Sequence, residues 1–84
     1  MQKTQLGIVW NEEYRVLDIP QNITVLELRQ LILQSNIFPY FTSLSGWRLS
    51  YKNQLLLDSE YVYMFGLQRG SILRILSIDG DGPI

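Results

Sequence analysis

One capped helix set between short β-patterned runs limits what this chain can become. Thr24-Val25-Leu26-Glu27 has the form of a capping box. Its threonine hydroxyl accepts from the Glu27 amide, and the Glu27 carboxylate accepts from the Thr24 amide. Val25, Leu28 and Ile32 follow at i, i+3 and i+7 as one apolar stripe, with Leu31 at its flank. Leu26 and Leu33 form a second ridge beside Arg29. Ser35-Asn36 predicts the stop, because short polar side chains tolerate a left-handed terminal turn.

The flanking segments alternate instead. Leu6, Ile8 and Trp10 share one face of a first strand. After the polar break Asn11-Glu12-Glu13, Tyr14–Ile19 resumes a β pattern, so the pair reads as an antiparallel hairpin. Leu17 and Ile19 are assigned inward, with Val16 competing. Pro20 ends that strand because it cannot donate to a ladder. The aperiodic, aromatic stretch Ile37–Gly46 reads as a connector that partly packs down. Trp47–Tyr51 alternates again, with Leu49 and Tyr51 inward. Lys52-Asn53 marks a turn into the short strand Gln54–Leu57, closed by Asp58. Asp58–Leu67 predicts a turn or short helix over one end of the core. Arg69-Gly70 leads into a last strand, Ser71–Leu76, with Leu73 and Ile75 inward.

The order is β-β-α-β-β-turn-β. A helix after a hairpin must bury its stripe on one sheet face, which gives a two-layer α+β domain. The right-handed crossover rule lets the last strand return parallel beside the first. With 84 residues there is room for one small core only. The expected organisation is one domain over residues 1–78 and a flexible, acidic, Gly-rich tail over residues 79–84.

Two absences narrow the chemistry. The chain has no Cys and no His, which removes disulfides, zinc–thiolate sites, thiolate catalysis and every triad that needs imidazole. No catalytic residue, cofactor site or metal site is expected. The net charge of −1 is spread along the chain, so no nucleic-acid partner is expected. No apolar run approaches the roughly 20 residues of a membrane span. The N-terminus lacks the pattern of a signal peptide. The expectation is a cytoplasmic, non-catalytic protein that does not insert into membranes.

In order and spacing, several features resemble the ubiquitin-like β-grasp superfamily over about residues 4–78. They are the hairpin, Ile19-Pro20, the helix from Thr24, Arg48-Leu49, Lys52-Asn53-Gln54-Leu55, and Leu67-Gln68-Arg69-Gly70-Ser71. The resemblance implies a mixed sheet of four to five strands packed on one helix. Tyr51–Leu57 and Leu67–Leu76 are similar to the C-terminal half of the small bacterial YukD/EsaB-like proteins. That likeness implies an accessory of type VII secretion, docking on cytoplasmic domains of the membrane machine. The alternative is a conjugated modifier, or an adaptor domain of a larger pathway. Against conjugation stand Asp81-Gly82-Pro83-Ile84 in place of a terminal Gly-Gly, Ser50 at the outward position where ubiquitin carries an apolar residue, and only two lysines, Lys3 and Lys52.

Other motifs are weaker. Asp79-Gly80-Asp81-Gly82 opens like a calcium loop but has no distal ligands before Ile84. Asn22-Ile23-Thr24 fits a glycosylation triplet, yet Thr24 is needed as the cap. Glu12-Glu13 reads as a solvated turn.

The surface expected to bind a partner is the outward sheet face: Arg48, Ser50, Arg74 and Leu76. On it two guanidinium forks flank an apolar centre. The competing surface is Leu26 and Leu33 with Phe38, Tyr40 and Phe41, which otherwise pack as core. Tyr61 and Tyr63 stand before the same choice. The expected partner is a protein, and a homodimer is allowed.

Overall fold

The computed structural model describes residues 3–77. The expected tail, residues 79–84, and its calcium-like motif lie outside the described residues. Strand β1 (Lys3–Trp10) and strand β2 (Glu13–Pro20) form the hairpin, followed by helix α1 (Val25–Ser35). Strands β3 (Trp47–Tyr51) and β4 (Gln54–Leu55), a 3₁₀ turn at Val62–Phe65 and strand β5 (Ile72–Ser77) complete the chain. The sheet order is β2-β1-β5-β3-β4. Strand β5 therefore fills the central position, parallel to β1 and antiparallel to β3.

Both hairpins close through two residues in the left-handed region, Asn11-Glu12 (φ 50° and 70°) and Lys52-Asn53 (φ 51° and 67°). That twist matches the right-handed twist of paired strands. The helix forms where its sequence says. Thr24 accepts from the Glu27 amide at 3.2 Å and donates its own amide to Glu27 Oε1 at 2.9 Å. Asn36 ends the helix at φ 58°.

Leu6, Ile8 and Ile19 from the hairpin, Val25, Leu28 and Ile32 from α1, and Leu49, Leu73 and Ile75 from the sheet are buried together. The competition on β2 resolves toward Leu17 and Ile19, since Val16 is exposed. Strand β4 is shorter than expected. The amide of Leu56 turns back to Leu49 O at 2.9 Å, which buries Leu56 and leaves Leu57 outside.

The connector gives the first correction. Phe38 and Phe41 are 2% and 5% exposed and belong to the core, so neither is a partner-binding residue. A tight turn, with the Phe41 amide donating to Phe38 O at 3.1 Å, points both rings inward. There they meet Trp10 and Trp47 edge-on or tilted, with ring centroids 5.1–6.3 Å apart. Tyr40 remains exposed and stacks on Trp10 at 5.1 Å.

Glu12 holds a left-handed conformation that costs a β-carbon-bearing residue about 1 kcal/mol. Glu12→Gly is expected to raise the unfolding free energy by about 0.5–1 kcal/mol, read from the urea midpoint at constant m. An unchanged midpoint would mean that Glu12 stores no strain there.

Candidate protein-docking surface

Helix α1 covers one face of the sheet, and alternation turns the other half of each strand away from it. The register brings Gly7 beside Val16 and Ile72, Val9 beside Tyr14 and Arg74, and Ser50 beside Arg74 and Leu55. Arg48 pairs with Leu76 at one end. Directly paired residues point to the same side of a sheet. Tyr14, Val16, Leu55, Ile72 and Leu76 are all exposed large apolar side chains. They form one outward surface with Arg74 at its middle. Gly7 sets part of its shape: a β-carbon there would lie 2.6 Å from Tyr14 Cε1, so only glycine lets that ring lie across β1.

Of the expected docking residues, Arg74 and Leu76 are exposed on this face. Ser50 is a correction. It points to this side but is only 4% exposed, a short side chain sunk between longer neighbours, so a partner cannot reach it. Arg48 is also different from expectation. Its guanidinium turns to Asp58, with Nη1 to Oδ2 at 3.3 Å, because β4 flanks only Ser50 and Tyr51 and the sheet edge is open at Arg48. It is not a free fork for a partner carboxylate. Leu26 and Leu33 are half-buried, and Leu33 packs against the core.

Sequence reasoning missed Tyr14, Val16, Leu55 and Ile72. The signal was present, since each has the opposite parity to a buried neighbour on its own strand or pairs with an outward residue. A shallow hollow beside this face, lined by Tyr51, Lys52, Gly70, Ser71, Ile72 and Arg74, adds a second cation. Among the described residues no ion pair engages Arg74 or Lys52.

The other missed residue is Arg29, which is 1% exposed inside the molecule. Nη1 donates to both oxygens of Asp58 at 2.9 Å. Nη2 donates to the carbonyls of Leu44 and Trp47, the latter at 2.9 Å, and the group lies over the Trp47 ring at 4.8 Å. Its position four residues after Val25 and three before Ile32 places it on the buried stripe. At the far edge, the Tyr40 hydroxyl donates to Glu13 Oε2 at 3.0 Å, and Arg15 holds Glu13 Oε1 at 2.9 Å. The hydrogen bond to Glu13, and then the negative charge of that carboxylate, hold the Tyr40 phenol above its ordinary range.

Among the described residues, no cluster of three or more carboxylates is placed to hold a metal ion. No described helix is long and apolar enough to cross a membrane.

A helix laid across a mixed five-stranded sheet in the order β2-β1-β5-β3-β4 is the ubiquitin-like β-grasp fold, and this chain has it. The ubiquitin-like domain of an Arabidopsis thaliana protein superposes with a TM-score of 0.77 at 15% identity, covering 92% of this chain and 79% of that one. The UBL domain of Plasmodium falciparum Dsk2 gives 0.76 at 17% identity, covering 90% and 99%. The Caldiarchaeum subterraneum ubiquitin gives 0.75 at 20% identity, covering 95% and 99%. No protein-family model and no curated protein matches the chain. At these identities the likeness is one of fold.

Two expectations follow. Asp58→Ala strips the carboxylate from a buried guanidinium, and water reaches the site because Asp58 is one-third exposed; the loss is about 2–3 kcal/mol, below that of a fully buried pair. A melting temperature unchanged in Asp58→Ala would show that the Arg29 network adds nothing. Glu13→Gln is expected to bring the Tyr40 titration down toward an ordinary phenol, followed by ultraviolet absorbance. The raised value in the folded state means that the Tyr40–Glu13 bond contributes stability below the ordinary phenol range and loses it as pH rises through the folded-state value.

Proposed function

We propose that this chain is a non-catalytic protein-interaction module that docks through the outward sheet face. The observation that supports it most is that face itself, where Tyr14, Val16, Ile72, Leu55 and Leu76 remain exposed around Arg74. A small monomer has little reason to leave so much apolar surface together, and an arginine inside an apolar surround suits a binding centre. The chain also has no His or Cys from which to assemble an acid, a base and a nucleophile. The partner expected is a protein with an apolar contact surface and a carboxylate for Arg74.

The finer reading places the module in the cytoplasm as an accessory of a bacterial type VII secretion machine. It rests on the sequence likeness of Tyr51–Leu57 and Leu67–Leu76 to the YukD/EsaB-like proteins. Neighbouring genes for a membrane ATPase and small helical secreted substrates would support it.

The test uses Ile72→Asp together with Arg74→Glu. Both side chains are exposed, so the melting temperature is expected to stay near wild type. Affinity capture from the source cells is expected to lose the specific protein that the wild type retains. Undiminished capture of that protein by the double variant would sink the reading. An isopeptide adduct through the C-terminus would replace docking by conjugation.

A further inference from the structure

A second exposed apolar cluster lies beside the start of α1. Leu57, Tyr61, Tyr63 and Met64 are exposed, Tyr63 and Met64 each at 58%. They belong to the segment that wraps the start of α1. Thr24 bridges to Tyr61, Val62 N donates to Ile23 O at 2.9 Å, and Tyr63 N donates to Gln21 O at 3.0 Å. Val62 alone of this turn is buried beneath them. The two tyrosine rings stack at 5.3 Å, tilted by 31°. Neither ring belongs to the core or to the residues packed against it.

The charge around this cluster is negative. Glu27 Oε1 is held on Thr24, the residue that bridges to Tyr61, and Glu60 Oε1 accepts from Leu57 N at 2.8 Å. Among the described residues neither carboxylate has a cationic partner. On the outward sheet face Asp18 stands at the β2 edge, while Arg74 at the middle and Lys52 beside it are cations with no ion pair among the described residues. One molecule therefore carries two separate apolar surfaces with rims of opposite charge.

We propose that the chain associates with itself head to tail, the Tyr61–Tyr63–Met64 surface of one copy seating on the outward sheet face of the next. Arg74 and Lys52 would then face tyrosine rings and the Glu27 and Glu60 carboxylates, while apolar groups meet at the centre. Because the two surfaces share no residue, filling one leaves the other open. The contact is heterologous and extends into a chain instead of closing as a two-fold dimer. This rests on the outward face being a docking surface, and it supplies a second surface and a specific occupant. A copy seated there would compete with any other partner for the same face.

The test is sedimentation equilibrium of the full chain, from micromolar to millimolar concentration, at low and at high salt. Wild type is expected to gain weight-average mass with concentration and to lose it with salt. Arg74→Glu spoils the sheet face and Tyr63→Lys spoils the tyrosine surface; each alone is expected to weaken association by about tenfold or more. Mixed, the two variants retain one intact surface of each kind and are expected to form a one-to-one pair that grows no further. Unchanged melting temperatures exclude unfolding as the cause. A wild type that stays monomeric at millimolar concentration overturns the proposal, as does a mixture that fails to pair. Either result leaves the docking reading standing on its own capture experiment, which scores a different protein.

Discussion

A charged group held away from water ties this molecule together. Arg29 projects from α1 into the space between the connector, β3 and the loop after β4, and each of those segments supplies one of its acceptors. Removing a guanidinium from water is unfavourable unless its donors are met; the two terminal nitrogens find acceptors on all three segments, so the charge links those segments to one another. The Trp47 ring beneath it adds a cation–π contact and joins the group to the aromatic cluster of Phe41, Phe38 and Trp10. Asp58 is also the point at which Arg48 is drawn off the outer face. An internal requirement thus edits the external surface.

The same economy shapes both exposed surfaces. A sheet with a helix on only one side must leave its other side to solvent or to a partner. Here that side is apolar where most solvated sheet faces are polar. The turn at Val62–Phe65 likewise packs Val62 and Phe65 against the core and turns Tyr63 and Met64 outward. In both places the backbone geometry is fully explained by the fold, while the side-chain choice is not. That residue of unexplained hydrophobicity is the physical basis for assigning function to these surfaces.

Local signals in the sequence carried most of the architecture. The capping box at Thr24, the αL stop at Asn36, the turn at Lys52-Asn53 and the inward set Leu49, Leu73 and Ile75 each depend on a few neighbouring residues, and all are present. Properties that depend on distant neighbours were harder to read. Alternation gives the direction of Ser50 but not the length of the side chains that cover it. It gives the direction of Arg48 but not the open edge that lets its guanidinium swing to Asp58. The connector has no period, so the choice between Phe38, Tyr40 and Phe41 for the interior is made by one tight turn. Arg29 stands on the buried stripe by spacing, but its acceptors, Asp58 and the carbonyls of Leu44 and Trp47, are 15 or more residues away in the chain and leave no local signal.

Placing the last strand in the middle of the sheet has a consequence for biosynthesis. Strands β1 and β3 are both neighbours of β5, and neither touches the other. A chain emerging from the ribosome can close each hairpin early, because both are local. It can only hold them as two half-sheets until Ile72–Ser77 appears. During that interval the inner edges of β1 and β3 present unpaired backbone groups, ready templates for a foreign strand. Closing the β1–β5 pair joins positions more than sixty residues apart, as with Gly7 and Ile72, which is a slow step by contact order. The sheet is therefore closed only when the last strand pairs on both sides, and until then the two edges stay open to a foreign strand.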